Sequence, residues 1–86
     1  MDAIINTGAV VEHDVTVGHF VHLSPRSAMG GAARIGAYAH LGIGATILSG
    51  IFVGDDSIIG GGACTVRDVP PRVIAYGVPA RVARAR

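Results

Sequence analysis

Ile35-Gly36-Ala37-Tyr38-Ala39-His40, followed at once by Leu41-Gly42-Ile43-Gly44-Ala45-Thr46, sets a period of six. A large aliphatic residue opens each unit, glycine follows it, and a small residue stands four places on. Working outward, the large position passes through Ile5, Val11, Val17, Leu23 and Met29 on one side. On the other it passes through Ile47, Val53 and Ile59, with no insertion between Ile5 and Cys64. The small position holds Ala9, Val15, Val21, Ser27, Ala33, Ala39, Ala45, Ile51, Ser57 and Ala63. Such a period matches neither the 3.6 of an α-helix nor the two of a simple strand. It fits short strands joined by tight bends, each strand turning one large and one small side chain inward. Three such strands close a triangular coil of 18 residues, and coils stack at the parallel-strand spacing of about 4.8 Å. The expected fold class is therefore all-β, a parallel β-helix of about three coils. It is expected over residues 1–67, with a C-terminal extension over residues 68–86 packing along it. Met1 to Ile4 read as a lead-in, with Ala3 already in the small inward phase. The glycines after the large position, at 18, 30, 36, 42, 54 and 60, read as the bends.

Composition agrees with a narrow aliphatic core. Half of the 86 residues are hydrophobic, yet only 5% are aromatic and tryptophan is absent. A domain of this size buries only about 60% of its unfolded surface, so it is marginal alone. The net charge of +1 argues against a nucleic-acid surface. A single cysteine excludes an intrachain disulfide and a cysteine-rich metal site, and is compatible with a reducing compartment. No apolar run approaches a membrane span of about 18 residues, and the chain does not open on a signal peptide. Together these predict a soluble cytoplasmic protein with no nucleic-acid or membrane partner.

The ionisable groups concentrate at Glu12-His13-Asp14, bracketed by inward Val11 and Val15. A histidine between two acids is suited to base work, because a carboxylate fixes its tautomer and raises its proton affinity; the same string also suits a solvated corner. Asn6 serves equally as a bend residue or a site residue. His22 and His40 stand one coil apart and should stack on one edge of the prism, whereas His13 belongs to another face. His19 reads as a surface histidine. Gly31 lies one coil after His13, where the missing Cβ would let a ligand approach the backbone N–H. A three-histidine zinc site is the competing pattern. The zinc-type carbonic anhydrases, a family on a similar prism, carry two histidines five apart; no pair here resembles that spacing, so no metal is expected. Leu48 and Phe52 read as exposed contacts for a partner. Cys64 has no basic neighbour in sequence and is not expected to be a nucleophile. The register is expected to end at Cys64, with Thr65 a poor large residue and Pro70-Pro71 breaking the pattern. Gly77 and Pro79 suggest a hairpin-like return ending in a short helix. Arg81, Arg84 and Arg86 suit either phosphate binding or solubility.

The array resembles the left-handed parallel β-helix of the hexapeptide acyltransferases. More narrowly, Ile5-Asn6-Thr7-Gly8-Ala9-Val10-Val11-Glu12-His13-Asp14 and His19-Phe20-Val21-His22-Leu23-Ser24-Pro25 look like the NeuD/PglD-type sugar acetyltransferases. Gly77-Val78-Pro79-Ala80-Arg81 is similar to their C-terminal CoA-side motif. The left hand rests on this resemblance, since right-handed crossovers are the general rule for parallel strands. The resemblance implies transfer of acetyl from acetyl-CoA to an amine or hydroxyl of a sugar or nucleotide-linked sugar. It implies His13 as catalytic base and Asp14 as the acid that orients it. Asn6 and His22 would line the same pocket, and Gly31 N–H would polarise the thioester carbonyl. Gly77 and Arg81 would lie on the CoA side. The family's sites lie between subunits of a homotrimer, so the partners implied are two further copies of the chain. Members of that family carry a nucleotide-sugar-binding domain ahead of the helix; here the array begins at Ile5. A non-catalytic trimeric scaffold that holds partner domains or binds CoA is the alternative.

Overall fold

The computed structural model describes residues 3–86; Met1 and Asp2, the start of the expected lead-in, lie outside the described residues. Eleven two-residue strands follow one another every six residues, as the period requires. They stack into three faces. The first face holds β1 (Ile4–Ile5), β4 (His22–Leu23), β7 (His40–Leu41) and β10 (Ile58–Ile59), continued by β12 (Val73–Tyr76) and β13 (Arg81–Ala85). The second holds β2 (Val10–Val11), β5 (Ala28–Met29), β8 (Thr46–Ile47) and β11 (Cys64–Thr65). The third holds β3 (Thr16–Val17), β6 (Arg34–Ile35) and β9 (Phe52–Val53). Pairing is parallel with partners 18 apart, such as Leu23 with Leu41 and Met29 with Ile47. The fold is the expected left-handed parallel β-helix, all-β, with no helix among the described residues. None of its elements is a helix long and apolar enough to cross a membrane.

The inward ladder forms the core. Leu23, Met29, Ile35, Leu41, Ile47, Val53 and Ile59 are buried, with Val21, Ala33, Ala39, Ala45 and Ala63 filling the small phase between them. Ala3 packs against this core, as its phase predicted. Ile5 and Val11 are in register with Leu23 and Met29 but stay 48% and 38% exposed, because they lie at the open first coil.

The bends differ from expectation. The left-handed residue stands three places after the large one, not one: Gly8, Asp14, Phe20, Arg26, Ala32, Tyr38, Gly44, Gly50, Asp56 and Gly62 all have positive φ. Asn6 is therefore not a left-handed bend residue. The glycines directly after the large residue are needed for a different reason. A Cβ on Gly42 would stand 2.6 Å from Gly61 N and 2.8 Å from Ile59 O, inside the backbone of the next coil.

The upper end departs further. The register does not stop at Cys64: Thr65 is inward, buried, and paired with Ile47. The next inward residue is Val69, bridged to Val53, so that coil is shorter by two residues. β12 then resumes the first face at the same offset, with Ile59 opposite Ala75. The stack thus makes about 4 turns rather than three. The tail is the hairpin expected, with β12 and β13 antiparallel, but it ends in a strand, since alternating Val82, Arg84 and their alanines suit an edge strand. Its turn lies over the second face: Cys64 N–H donates to Gly77 O at 3.1 Å and Ala80 N–H to Cys64 O at 2.8 Å.

Candidate active site

His13 sits on the bend that follows β2, between the second and third faces. The left-handed φ of 63° at Asp14 turns its carboxylate back on the ring. His13 Nδ1–H donates to Asp14 Oδ2 at 3.2 Å, and both side chains are almost fully exposed. With Nδ1 holding the proton, Nε2 carries a free lone pair directed outward, the form a general base requires. Gly31 lies one coil above. Ala32 N–H donates to His13 O at 3.3 Å, and a Cβ on Gly31 would meet only His13 O, at 3.7 Å. Gly30 and Ala32 use their amides within the chain; the Gly31 amide between them donates to no partner among the described residues. Glycine here leaves the amide unhindered, one coil above His13. Gly50 N–H in turn donates to Gly31 O at 3.0 Å. The same corner thus runs from His13 through Gly31 to Gly50, below the coil that is two residues short.

A second cluster occupies the first face. Asn6 Nδ2–H donates to His22 Nε2 at 2.9 Å, which leaves the His22 proton on Nδ1. One coil higher the arrangement repeats: Ser24 Oγ and His40 Nε2 are 3.1 Å apart. The two imidazoles stack, as their spacing predicted, with centroids 4.6 Å apart and planes 24° from parallel. Burial, the neighbouring His22 and the nearby Arg86 hold the His40 pKa below the ordinary 6.5. The Ser24–His40 pair was not among the sequence candidates. Its 16-residue separation, the same as that of Asn6 and His22, was the available signal.

Gly77 and Arg81 flank the hairpin turn. Gly77 has φ 106°, and Arg81 joins Val66, Arg67, Pro79 and Ala80 around a shallow pocket of about 140 Å³. This pocket lies between the hairpin turn and the segment that follows β11. Within one chain, then, three groups form: His13 with Asp14 and Gly31, Asn6 with His22, and Arg67 with Arg81. The first and second lie on different faces. Phe52 is half-buried rather than exposed, because the Arg34 guanidinium lies 5.0 Å above its ring. Leu48 is exposed as expected. Arg86 pairs with Asp56. Among the described residues no three His, Cys, Asp or Glu side chains converge in metal-ligand geometry.

No protein-family model matches the chain. Individual relatives do. A serine acetyltransferase of Mycobacterium tuberculosis is 38% identical over 81 residues, covering 92% of this chain and 35% of the relative. A galactoside O-acetyltransferase of Escherichia coli is 44% identical over 78 residues, covering 91% of this chain and 35% of the relative. The crystal structure of Neisseria gonorrhoeae serine acetyltransferase superposes with a TM-score of 0.90 at 29% identity, over 98% of this chain and 36% of that one. A GDP-perosamine N-acetyltransferase variant from Caulobacter crescentus, in complex with CoA and GDP-perosamine, gives 0.71 at 30% identity, over 95% and 56%. The chain thus spans about a third of the length of the curated relatives it matches. These likenesses span the six-residue array and its hairpin end, and over that length the chain is similar to the hexapeptide-repeat acyltransferases.

Proposed function

We propose that the chain transfers acetyl from acetyl-CoA to an amine or hydroxyl of a sugar or nucleotide-linked sugar, with His13 as general base. The observation that carries this reading is the pairing of a carboxylate-held imidazole, free at Nε2, with the unhindered Gly31 amide one coil above it. The acceptor attacks the thioester carbonyl and passes its proton to His13 Nε2. The carbonyl oxygen becomes an oxyanion held by Gly31 N–H. The intermediate collapses, the C–S bond breaks, and the leaving thiolate takes the proton back from His13. Asp14 keeps the ring in the tautomer this needs. CoA would lie along the corner from Gly31 toward the turn. There the Arg67 and Arg81 guanidinium groups suit the phosphates of the cofactor, since arginine meets phosphate through forked hydrogen bonds. Solved serine acetyltransferase complexes with CoA support the choice of cofactor.

The active assembly in this reading is a homotrimer, in which His13 of one copy faces Asn6 and His22 of the next. Exposed Phe20, Tyr38, Ile43 and Leu48 supply apolar surface for such contacts, and burial of a prism face would offset the small size of one domain. The site would work in the cytoplasm, where the single free cysteine is compatible with reducing conditions. Serine is the competing acceptor, because several relatives are serine acetyltransferases. Release of free CoA thiol, measured across amino sugars, nucleotide-linked sugars and serine, decides between them. Turnover with serine alone removes the sugar assignment. Calorimetric CoA binding without turnover on any acceptor leaves a CoA-binding scaffold, and no heat at all removes the cofactor as well.

A further inference from the structure

We propose that His40, with Ser24 behind it, is a positioning residue for His22. The idea rests on the reading above that His22 lines the acetyl site. His22 is fixed at one point only by hydrogen bonding, through Nε2 to Asn6 Nδ2 at 2.9 Å. A single bond to a ring nitrogen leaves the imidazole free to swing about the bonded edge. The face of the ring is held by something else: His40, stacked at 4.6 Å and 24°, on the adjoining strand of the same sheet. His40 is itself anchored, its Nε2 3.1 Å from the hydroxyl of Ser24, which is 4% exposed. Each histidine is therefore tethered to the polar residue sixteen places before it, and the two tethers lie one coil apart. The effect is to hold His22 with Nε2 occupied and Nδ1–H directed away from Asn6, a fixed donor for a carbonyl or hydroxyl oxygen of a bound ligand.

The stack works only while at least one ring is neutral, since two imidazolium rings at this distance repel. The groups around His40 favour that state. β4 contributes His22, β10 contributes uncharged Ile58 opposite His40, and the chain end contributes Arg86, itself paired with Asp56. A positive charge on His40 is opposed first by burial and then by the neighbouring His22 and Arg86.

The test pairs kinetics with a probe of the ring itself. In the full chain, His40→Ala should lower kcat/KM for acetyl transfer about tenfold, the scale for loss of a partner that orients a ligating group. Nitrogen-15 NMR should show His22 moving from one Nδ1–H tautomer to a mixture. His40→Phe, which keeps a flat ring on His22, should restore the single tautomer and recover most of the rate. Ser24→Ala should fall between the two. A His22 tautomer unchanged in His40→Ala overturns the proposal, whatever happens to the rate. A changed tautomer with unchanged kcat/KM also overturns it as a claim about the reaction. Failure of the acetyl-site reading has a different signature: His22→Ala would then leave transfer intact, while the ring signals of His22 would still respond to His40.

Discussion

Two glycines two residues apart, Gly42 and Gly44, should respond very differently to alanine. At Gly44 the added Cβ meets nothing within 4 Å, but φ is +70°. The cost is that of a left-handed non-glycine residue, about 1–2 kcal/mol. At Gly42 no positive φ is involved, yet the Cβ would lie 2.6 Å from Gly61 N, 2.8 Å from Ile59 O and 2.9 Å from Gly60 C. Carbon atoms rest at about 3.5–4.0 Å, so the coils must part by roughly 1 Å at this corner. All three obstacles are backbone and cannot swing aside as a side chain would. Parting the coils also stretches the 2.8 Å bond from Gly42 N–H to Ile59 O. Overpacking costs about 1–3 kcal/mol and a lost hydrogen bond about 1 more, so Gly42→Ala should lose roughly 2–4 kcal/mol. At about 4–8 °C per kcal/mol for a domain of this size, Gly44→Ala lowers Tm by one such step or two. Gly42→Ala lowers it by about two to four. Thermal unfolding followed by circular dichroism suits the comparison, at one fixed protein concentration because assembly adds to stability. A Gly44→Ala loss equal to or larger than that of Gly42→Ala would refute the steric explanation of the glycine phase.

Thr65→Val should stabilise the fold by about 1 kcal/mol in denaturant titration, because Thr65 Oγ1 is buried without a hydrogen-bond partner. Met29→Ala should cost about 2–5 kcal/mol by the same method, as expected of a fully buried side chain between coils. The lowered His40 pKa gives a pH dependence of definite sign. Below 6.5 the unfolded chain takes up a proton that folded His40 resists, so stability is full above that pH and declines as pH falls toward the folded value. His40→Phe should flatten this decline in unfolding experiments across the acid range. Asp14→Asn should lower kcat about 10- to 100-fold with the assembly mass unchanged, since the imidazole loses the carboxylate that sets its tautomer.

The coil was legible wherever its period was unbroken. From Leu23 to Ile59 each large inward residue is buried as its phase requires, because a six-residue repeat leaves no other way to close a core. The bends are hidden because glycine meets two distinct needs only two residues apart in phase. The left-handed position holds Phe20, Arg26 and Tyr38 as readily as Gly8 or Gly44, which hides it, whereas the close-approach position is the more uniformly glycine. The end of the stack was missed for a related reason. Thr65 looks too polar for the core and Val69 arrives two residues early, so a strict period loses the last coil. At the site, the His22–His40 stack and the Gly31–His13 contact follow from the 18-residue coil alone. The Asn6–His22 and Ser24–His40 bonds do not, because they depend on how far each side chain reaches along its corner.

The most direct test of His13 as the base is the rate of CoA release from acetyl-CoA, with an acceptor from the active panel, in parent and His13→Ala protein. Removal of a general base should slow turnover about 10²- to 10⁴-fold, while the calorimetric affinity for CoA and the mass of the assembly stay as they were. Turnover retained by His13→Ala, with intact CoA binding and mass, would contradict the role of His13 and the transfer mechanism built on it.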